Sequence, residues 1–210
     1  LVALLHSGSA GAQEQPRSQE LAAVELIGLM LDNADSGAAI ARAGAIEPLV
    51  ALVRGGSAGA QEKAAGALAY LAVNADNGVA IAQAGAIEPL VAMLRGGSAA
   101  AQEEAAFALS RLATRNAANQ VDIARAGAIE PLVALVRGGS AEAQEEAAFA
   151  LGNLASGNAA NKVAIARAGA IEPLVALLHG GSAGAQEAAA LALSYLATGN
   201  AANQVDIARA

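Results

Sequence analysis

Leucine, isoleucine and valine recur along this chain in short runs, separated by glycine and polar residues at regular intervals. Residues 127–168 show the pattern best, and there it predicts three helices. The first runs from Ile129 to Arg137 and takes Pro131 into its first turn, where a missing N–H does no harm. Gly138-Gly139 ends it, with Arg137 placed to suit the negative end of a helix dipole. Ser140 then caps a longer helix reaching about Ser156, acidic in its early turns through Glu142, Glu145 and Glu146. Ala147, Ala148, Leu151 and Leu154 give that helix an apolar stripe. Gly157-Asn158 breaks the chain again, and Asn158 caps a short helix from Ala159 to Arg167 that carries Val163 and Ile165. Gly169 stops it.

The same pattern recurs. The phrase Gly-Ala-Ile-Glu-Pro-Leu-Val-Ala begins at Gly44, Gly85, Gly127 and Gly169, a spacing near 42 residues. Residues 85–126 and 127–168 differ at about nine of 42 positions. A period of this length signals a helical solenoid, in which each unit buries its apolar face against its neighbours. The units fall at about 1–43, 44–84, 85–126, 127–168 and 169–210, and together form one domain. The first unit is irregular. Extra residues around Gln15-Pro16-Arg17-Ser18 predict an extended loop before its long helix.

The run Gly-Ala-Ile-Glu-Pro-Leu-Val-Ala-Leu, followed by Gly-Ser-Ala, Gln-Glu-x-Ala-Ala-x-Ala-Leu-x-x-Leu-Ala and Asn-Ala-x-Asn, resembles the armadillo repeat over nearly the whole chain. The resemblance implies an all-α fold: a right-handed superhelix of three-helix repeats with a concave groove lined by the third, longest helices. It also implies a protein-binding scaffold that holds a partner peptide or helix in that groove, with no catalytic activity, cofactor or metal. A structural role, as a spacer or a self-associating module, is the alternative.

Composition narrows the field. Apolar residues make up 55% of the 210-residue chain, yet aromatics are only 2%, so the core is built mainly from small aliphatic side chains. A net charge of −7 argues against nucleic acid as a partner, because phosphate backbones are held by Lys and Arg. The absence of Cys excludes disulfides and thiolate metal sites, and it agrees with a cytoplasmic or nuclear, reducing location. No apolar run approaches the length of a membrane span. The opening Leu1-Val2-Ala3-Leu4-Leu5 has no basic leader and repeats at Leu49, Leu90, Leu132 and Leu174, so it reads as repeat and not as a targeting signal. A chain lacking an initiator Met is expected to be a fragment or a processed product.

Catalytic constellations are missing. His6 and His179 replace Arg54, Arg95 and Arg137 at a helix end, where a polar or cationic cap residue is expected. Glu103-Glu104 and Glu145-Glu146 are adjacent on a helix, pointing about 100° apart, and suit an N-terminal turn better than acid–base work. Gly55-Gly56-Ser57 lacks the Gly-x-x-x-x-Gly-Lys spacing of a phosphate loop.

The resemblance points to groove residues where the units differ. Armadillo receptors commonly carry a Trp on the long helix and an Asn four residues later. The Trp position here holds Val24, Gly66, Phe107, Phe149 and Leu191, and the Asn position holds Gly28, Tyr70, Arg111, Asn153 and Tyr195. The expected protein- or peptide-binding face therefore bears Tyr70, Arg111, Asn153 and Tyr195, with Phe107 and Phe149 beside them. Lys63, Glu104 and Glu146 lie one turn earlier and Arg115 one turn later. Glu104 and Glu146 suit a basic peptide. At the far end, Val205 and Ile207 are expected to lack the cover of a following unit. Head-to-tail association of two molecules, or a longer chain, answers that exposure.

Overall fold

The computed structural model describes residues 2–5, 15–33 and 36–210. Among these the chain forms fifteen helices and no strand. They are α1 (Val2–Leu5), α2 (Gln15–Asp32), α3 (Ser36–Arg42), α4 (Ile46–Gly55), α5 (Ala58–Leu71), α6 (Ala75–Gln83), α7 (Ile87–Gly96), α8 (Ala99–Ala113), α9 (Ala117–Arg125), α10 (Ile129–Gly138), α11 (Ala141–Ala155), α12 (Ala159–Arg167), α13 (Ile171–Gly180), α14 (Ala183–Ala197) and α15 (Ala201–Arg209). Each full unit comprises a short first helix, a second helix at a steep angle to it and a long third helix. The expected loop at Gln15–Ser18 is not found: these residues open α2. Proline near a helix start is compatible with this, since its missing N–H has no intrahelical partner there.

Local chemistry sets the boundaries. Ser57, Ser98, Ser140 and Ser182 cap the third helices, each hydroxyl accepting from a backbone N–H three residues on at 3.1–3.2 Å. Asn116, Asn158 and Asn200 cap first helices in the same way. Between first and second helices the chain bends by 79–82° at the three places measured, α3 to α4, α6 to α7 and α12 to α13. Gly44, Gly85, Gly127 and Gly169 stand at these corners with φ between 75° and 84°, where a side chain meets steric strain.

The third helices α2, α5, α8, α11 and α14 pack side by side along their length, and each second helix packs on the third helix of its own unit. Alanine makes the close approach possible: Ala64, Ala65, Ala105, Ala106, Ala147, Ala148, Ala188 and Ala189 are fully buried. At Gly152 an added Cβ lies only 3.2 Å from the Cα of Ala192, so α11 and α14 approach each other nearly backbone to backbone. The second helices touch one another far less, and open clefts recur between them beside Pro89, Pro131 and Pro173. Tight spacing in one layer and loose spacing in the other curves the array, with the third helices on the inside.

Polar side chains join the units. Asn119, Asn161 and Asn203 are buried on the first helices. Their amides donate to Leu112 O, Leu154 O and Leu196 O at 2.9–3.0 Å, closing the end of the third helix before them. The same amides reach back a unit to Gly78 O, Gln120 O and Lys162 O at 3.2–3.5 Å, and Asn77 bonds Leu71 O and Gly37 O likewise. Forward links come from Gln120, which donates to Asn153 O at 3.0 Å, and from Lys162, which donates to Thr198 O. Arg54, Arg95 and Arg137 donate to Gly85 O, Gly127 O and Gly169 O of the next unit at 3.4, 2.9 and 3.0 Å. The side chain expected to serve its own helix end thus spans two units. His179, which takes the place of these arginines, is exposed, and His6 lies outside the described residues. No buried side-chain N or O among the described residues lacks a partner.

At the last unit only half of the expected exposure is present. Val205 is 46% exposed, but its counterparts Val79, Val121 and Val163 are 38–42% exposed, so this valine faces solvent in each of the four units that carry it. Ile207 is half-buried where Ile81, Ile123 and Ile165 are fully buried. No single helix among the described residues is long and apolar enough to cross a membrane.

The inner face of the third helices as candidate binding site

Spacing of three, four and seven residues carries positions 63, 66 and 70 of α5, with their equivalents in α8, α11 and α14, along one side of the inner layer. Gly66 leaves a gap in α5 at the place where α8 and α11 carry Phe107 and Phe149. The carboxylate of Glu104 fills that gap: a Cβ on Gly66 falls 2.7 Å from its Oε2. Burial raises the pKa of Glu104, Lys63 opposes the rise, and Glu103 and Glu62 add to it. Lys63 itself donates to Glu62 at 2.5 Å, which holds its ammonium above the ordinary value against the opposing effect of burial.

In the next unit the glycine is replaced by Phe107. Tyr70 meets this ring edge-on, with centroids 5.4 Å apart and planes at 80°. The guanidinium of Arg111 lies over the same ring, 5.0 Å from its centroid, a cation–π arrangement. Tyr70 and Phe107 border a depression walled by Glu103, Glu104, Glu142, Glu145 and Glu146. Burial pushes Glu146 up to about 7, against the pull of Arg111 and with the repulsion of Glu145, Glu103 and Glu104. The depression therefore holds carboxylates that are short of both water and cations.

The structure brings together Lys63, Tyr70, Glu104, Phe107, Arg111 and Glu146 and sets the other expected residues apart. Asn153 has its amide turned to the preceding unit, donating to Ser110 O, Ser110 Oγ and Thr114 Oγ1 at 3.1–3.2 Å. Phe149 and Tyr195 are half-buried and packed against the continuous core. Arg115 occupies the turn after α8 with φ 53°, at the position of Gly157 and Gly199. Glu103, Glu142 and Glu145 also line the depression, beyond the expected face. Glu142 stands where other units have Gly59, Ala100 and Gly184, so unit-to-unit variation was the available signal. Glu103 and Glu145 also reach the next third helix: Ser140 Oγ donates to Glu103 at 3.3 Å, and the Glu145 carboxylate lies against Gly184 in the first turn of α14. A carboxylate there complements the positive end of the helix.

Comparisons with known proteins agree with this architecture. The Armadillo/beta-catenin-like repeat profile matches residues 38–73, 74–114, 116–156 and 158–198. No curated protein matches the sequence. Among solved structures, an engineered protein from the Northeast Structural Genomics Consortium is 35% identical, with a TM-score of 0.88 over 99% of this chain and 84% of that one. A designed armadillo repeat protein in complex with the peptide (KR)4 is 30% identical, with a TM-score of 0.85 over 99% of this chain and 85% of that one. A computationally designed armadillo repeat protein for modular peptide recognition is 29% identical, with a TM-score of 0.86 and the same coverage. Four successive matches over an array of three-helix units, and a fold shared nearly end to end, place this chain in the Armadillo/beta-catenin-like repeat family.

Proposed function

We propose that this chain is a protein-binding scaffold that holds a basic segment of a partner on the inner face of its third helices, centred on the depression between α8 and α11. The observation that carries the reading is the ring of five glutamates around Tyr70 and Phe107. Two of them, Glu104 and Glu146, hold their protons above the ordinary carboxylate range because they lack solvent and counter-charge. A Lys or Arg side chain entering there supplies the missing charge, and its stem lies against aromatic surface. The complex of a similar designed protein with (KR)4 supports a guest of that chemistry. Binding of this kind needs no catalytic group, only charge and apolar surface that complement the guest.

The test is a titration with a fluorescent octapeptide of alternating Lys and Arg, against an Asp/Glu octapeptide of equal length. The basic peptide is expected to bind, with affinity falling as salt rises, because charge pairing at a solvated face is screened. Glu104→Gln with Glu146→Gln is expected to weaken it roughly three- to tenfold. Equal affinity for both peptides, or a double variant that binds the basic peptide unchanged, removes the reading.

A further inference from the structure

Every unit offers its own side chain at the residue four positions after the Phe107 site: Gly28, Tyr70, Arg111, Asn153 and Tyr195. Only in α8 is this side chain a cation, and its guanidinium lies over the Phe107 ring, which Tyr70 meets edge-on. Among the described residues no carboxylate comes within ion-pair distance of Arg111, and its guanidinium makes no hydrogen bond. The group is exposed, so the Phe107 ring and the field of the nearby glutamates are what hold it. In that place it does to the site what a cationic guest does: it covers one face of Phe107 and lends positive charge to the Glu146 side of the depression.

We propose that Arg111 is a built-in competitor for the guest's cationic side chain, a specificity-setting residue that lowers the affinity of the inner face for basic segments. The inference rests on the proposed function and adds to it the residue that limits it. The groups facing the depression are Glu103 and Glu104 from α8, Glu142, Glu145 and Glu146 from α11, and Lys63 and Tyr70 from α5. Lys63 is engaged with Glu62 at 2.5 Å, which leaves Arg111 as the nearby cation without a carboxylate partner. Its exposed, weakly held state allows displacement at small cost, since cation–π contacts at exposed sites are among the weaker interactions.

Arg111 stands at the position where armadillo receptors commonly carry an asparagine, and its guanidinium is free to donate, so the opposite role is also defined: a direct donor to the guest. The two roles predict changes of opposite sign. In the Lys-Arg octapeptide titration, Arg111→Gln is expected to lower Kd by about three- to tenfold, as one unit of competing charge and one ring contact are removed. Arg111→Lys keeps the charge and loses the planar stacking, and is expected to fall between the two. In the peptide-free protein, Arg111→Gln is expected to move the Glu146 titration upward from about 7, read by carboxyl-carbon NMR, because a favourable cation has gone. Thermal unfolding of each variant confirms an intact fold, which an exposed side chain without hydrogen bonds does not support. A Kd for Arg111→Gln equal to or weaker than the parent's overturns the competitor role and leaves the peptide-binding reading standing. An unmoved Glu146 titration overturns the competitor role as well. If neither protein binds the octapeptide, the peptide-binding reading falls, and this inference with it.

Discussion

Glu104 lays its carboxylate over Gly66 of the neighbouring third helix, so close that a Cβ on the glycine falls 2.7 Å from Oε2. The glycine is thus not a loose point in α5 but a seat for an acid from the next unit. Gly66→Ala sets a flexible carboxylate against a methyl group, and the carboxylate is the part able to move. The variant is expected to gain up to about 1 kcal/mol from helix propensity, with Glu104 turning to solvent and its pKa falling toward 4.5. Urea unfolding and a carboxyl-carbon titration of Glu104 check both halves.

Glu146 makes stability depend on pH. Its folded-state pKa, about 7, lies above the ordinary 4.5, so between these values the folded protein binds more protons than the unfolded chain. Stability contributed by this group is therefore highest below about pH 4.5 and is lost as pH rises through 7. Glu146→Gln removes the dependence. At pH 8 the variant is expected to unfold at higher urea concentration than the parent, and the gap is expected to close toward pH 4.5. A gap that widens on acidification contradicts the assignment.

The buried asparagines bind the array together. Asn119 closes Leu112 O and bonds Gly78 O of the preceding unit, so its replacement leaves two buried carbonyls without this donor. Asn119→Ala is expected to destabilise by about 1–3 kcal/mol, the usual penalty for orphaned buried polar groups. The urea midpoint reads it. Arg95→Ala, which removes exposed bonds to Gly127 O at 2.9 Å and Ala126 O at 3.2 Å, is expected to cost about 1 kcal/mol.

Tyr70 and Phe107 come from different units and meet edge to face. A double-mutant cycle with Tyr70→Ala and Phe107→Ala is expected to return a coupling of about 0.5–1.5 kcal/mol. Coupling near zero shows that the rings are neighbours without energetic linkage. Phe107→Ala is also expected to release Arg111 from the ring, a change that the Lys-Arg octapeptide titration registers.

Much of the fold was legible because its signals are local. Ser140 bonds a backbone group three residues away, Asn158 does the same, and Gly169 turns the chain by its own φ. Such contacts follow from neighbouring residue types and recur wherever the types recur. Helix Ala159–Arg167 has the expected bounds for that reason. The loop expected at Gln15–Ser18 fails because an insertion before a helix has the look of a loop in sequence, whereas α2 extends through it.

The binding face was legible only as a set of positions. Tyr70, Phe107, Glu104 and Glu146 were marked by their variation between units, but the sequence holds no sign that Asn153 turns back to Ser110, 43 residues earlier. Nor does it show that Arg137 leaves its own helix end for Gly169 O of the next unit.

The period, the caps and the alanine-rich stripes are properties of residues within a few positions of one another, and these determined that the chain becomes stacked three-helix units. Which carboxylates crowd one depression, and which cation lies on Phe107, depends on the offset between adjacent third helices. That offset is set by how closely alanine and glycine let backbones approach, a packing result with no counterpart in any single segment.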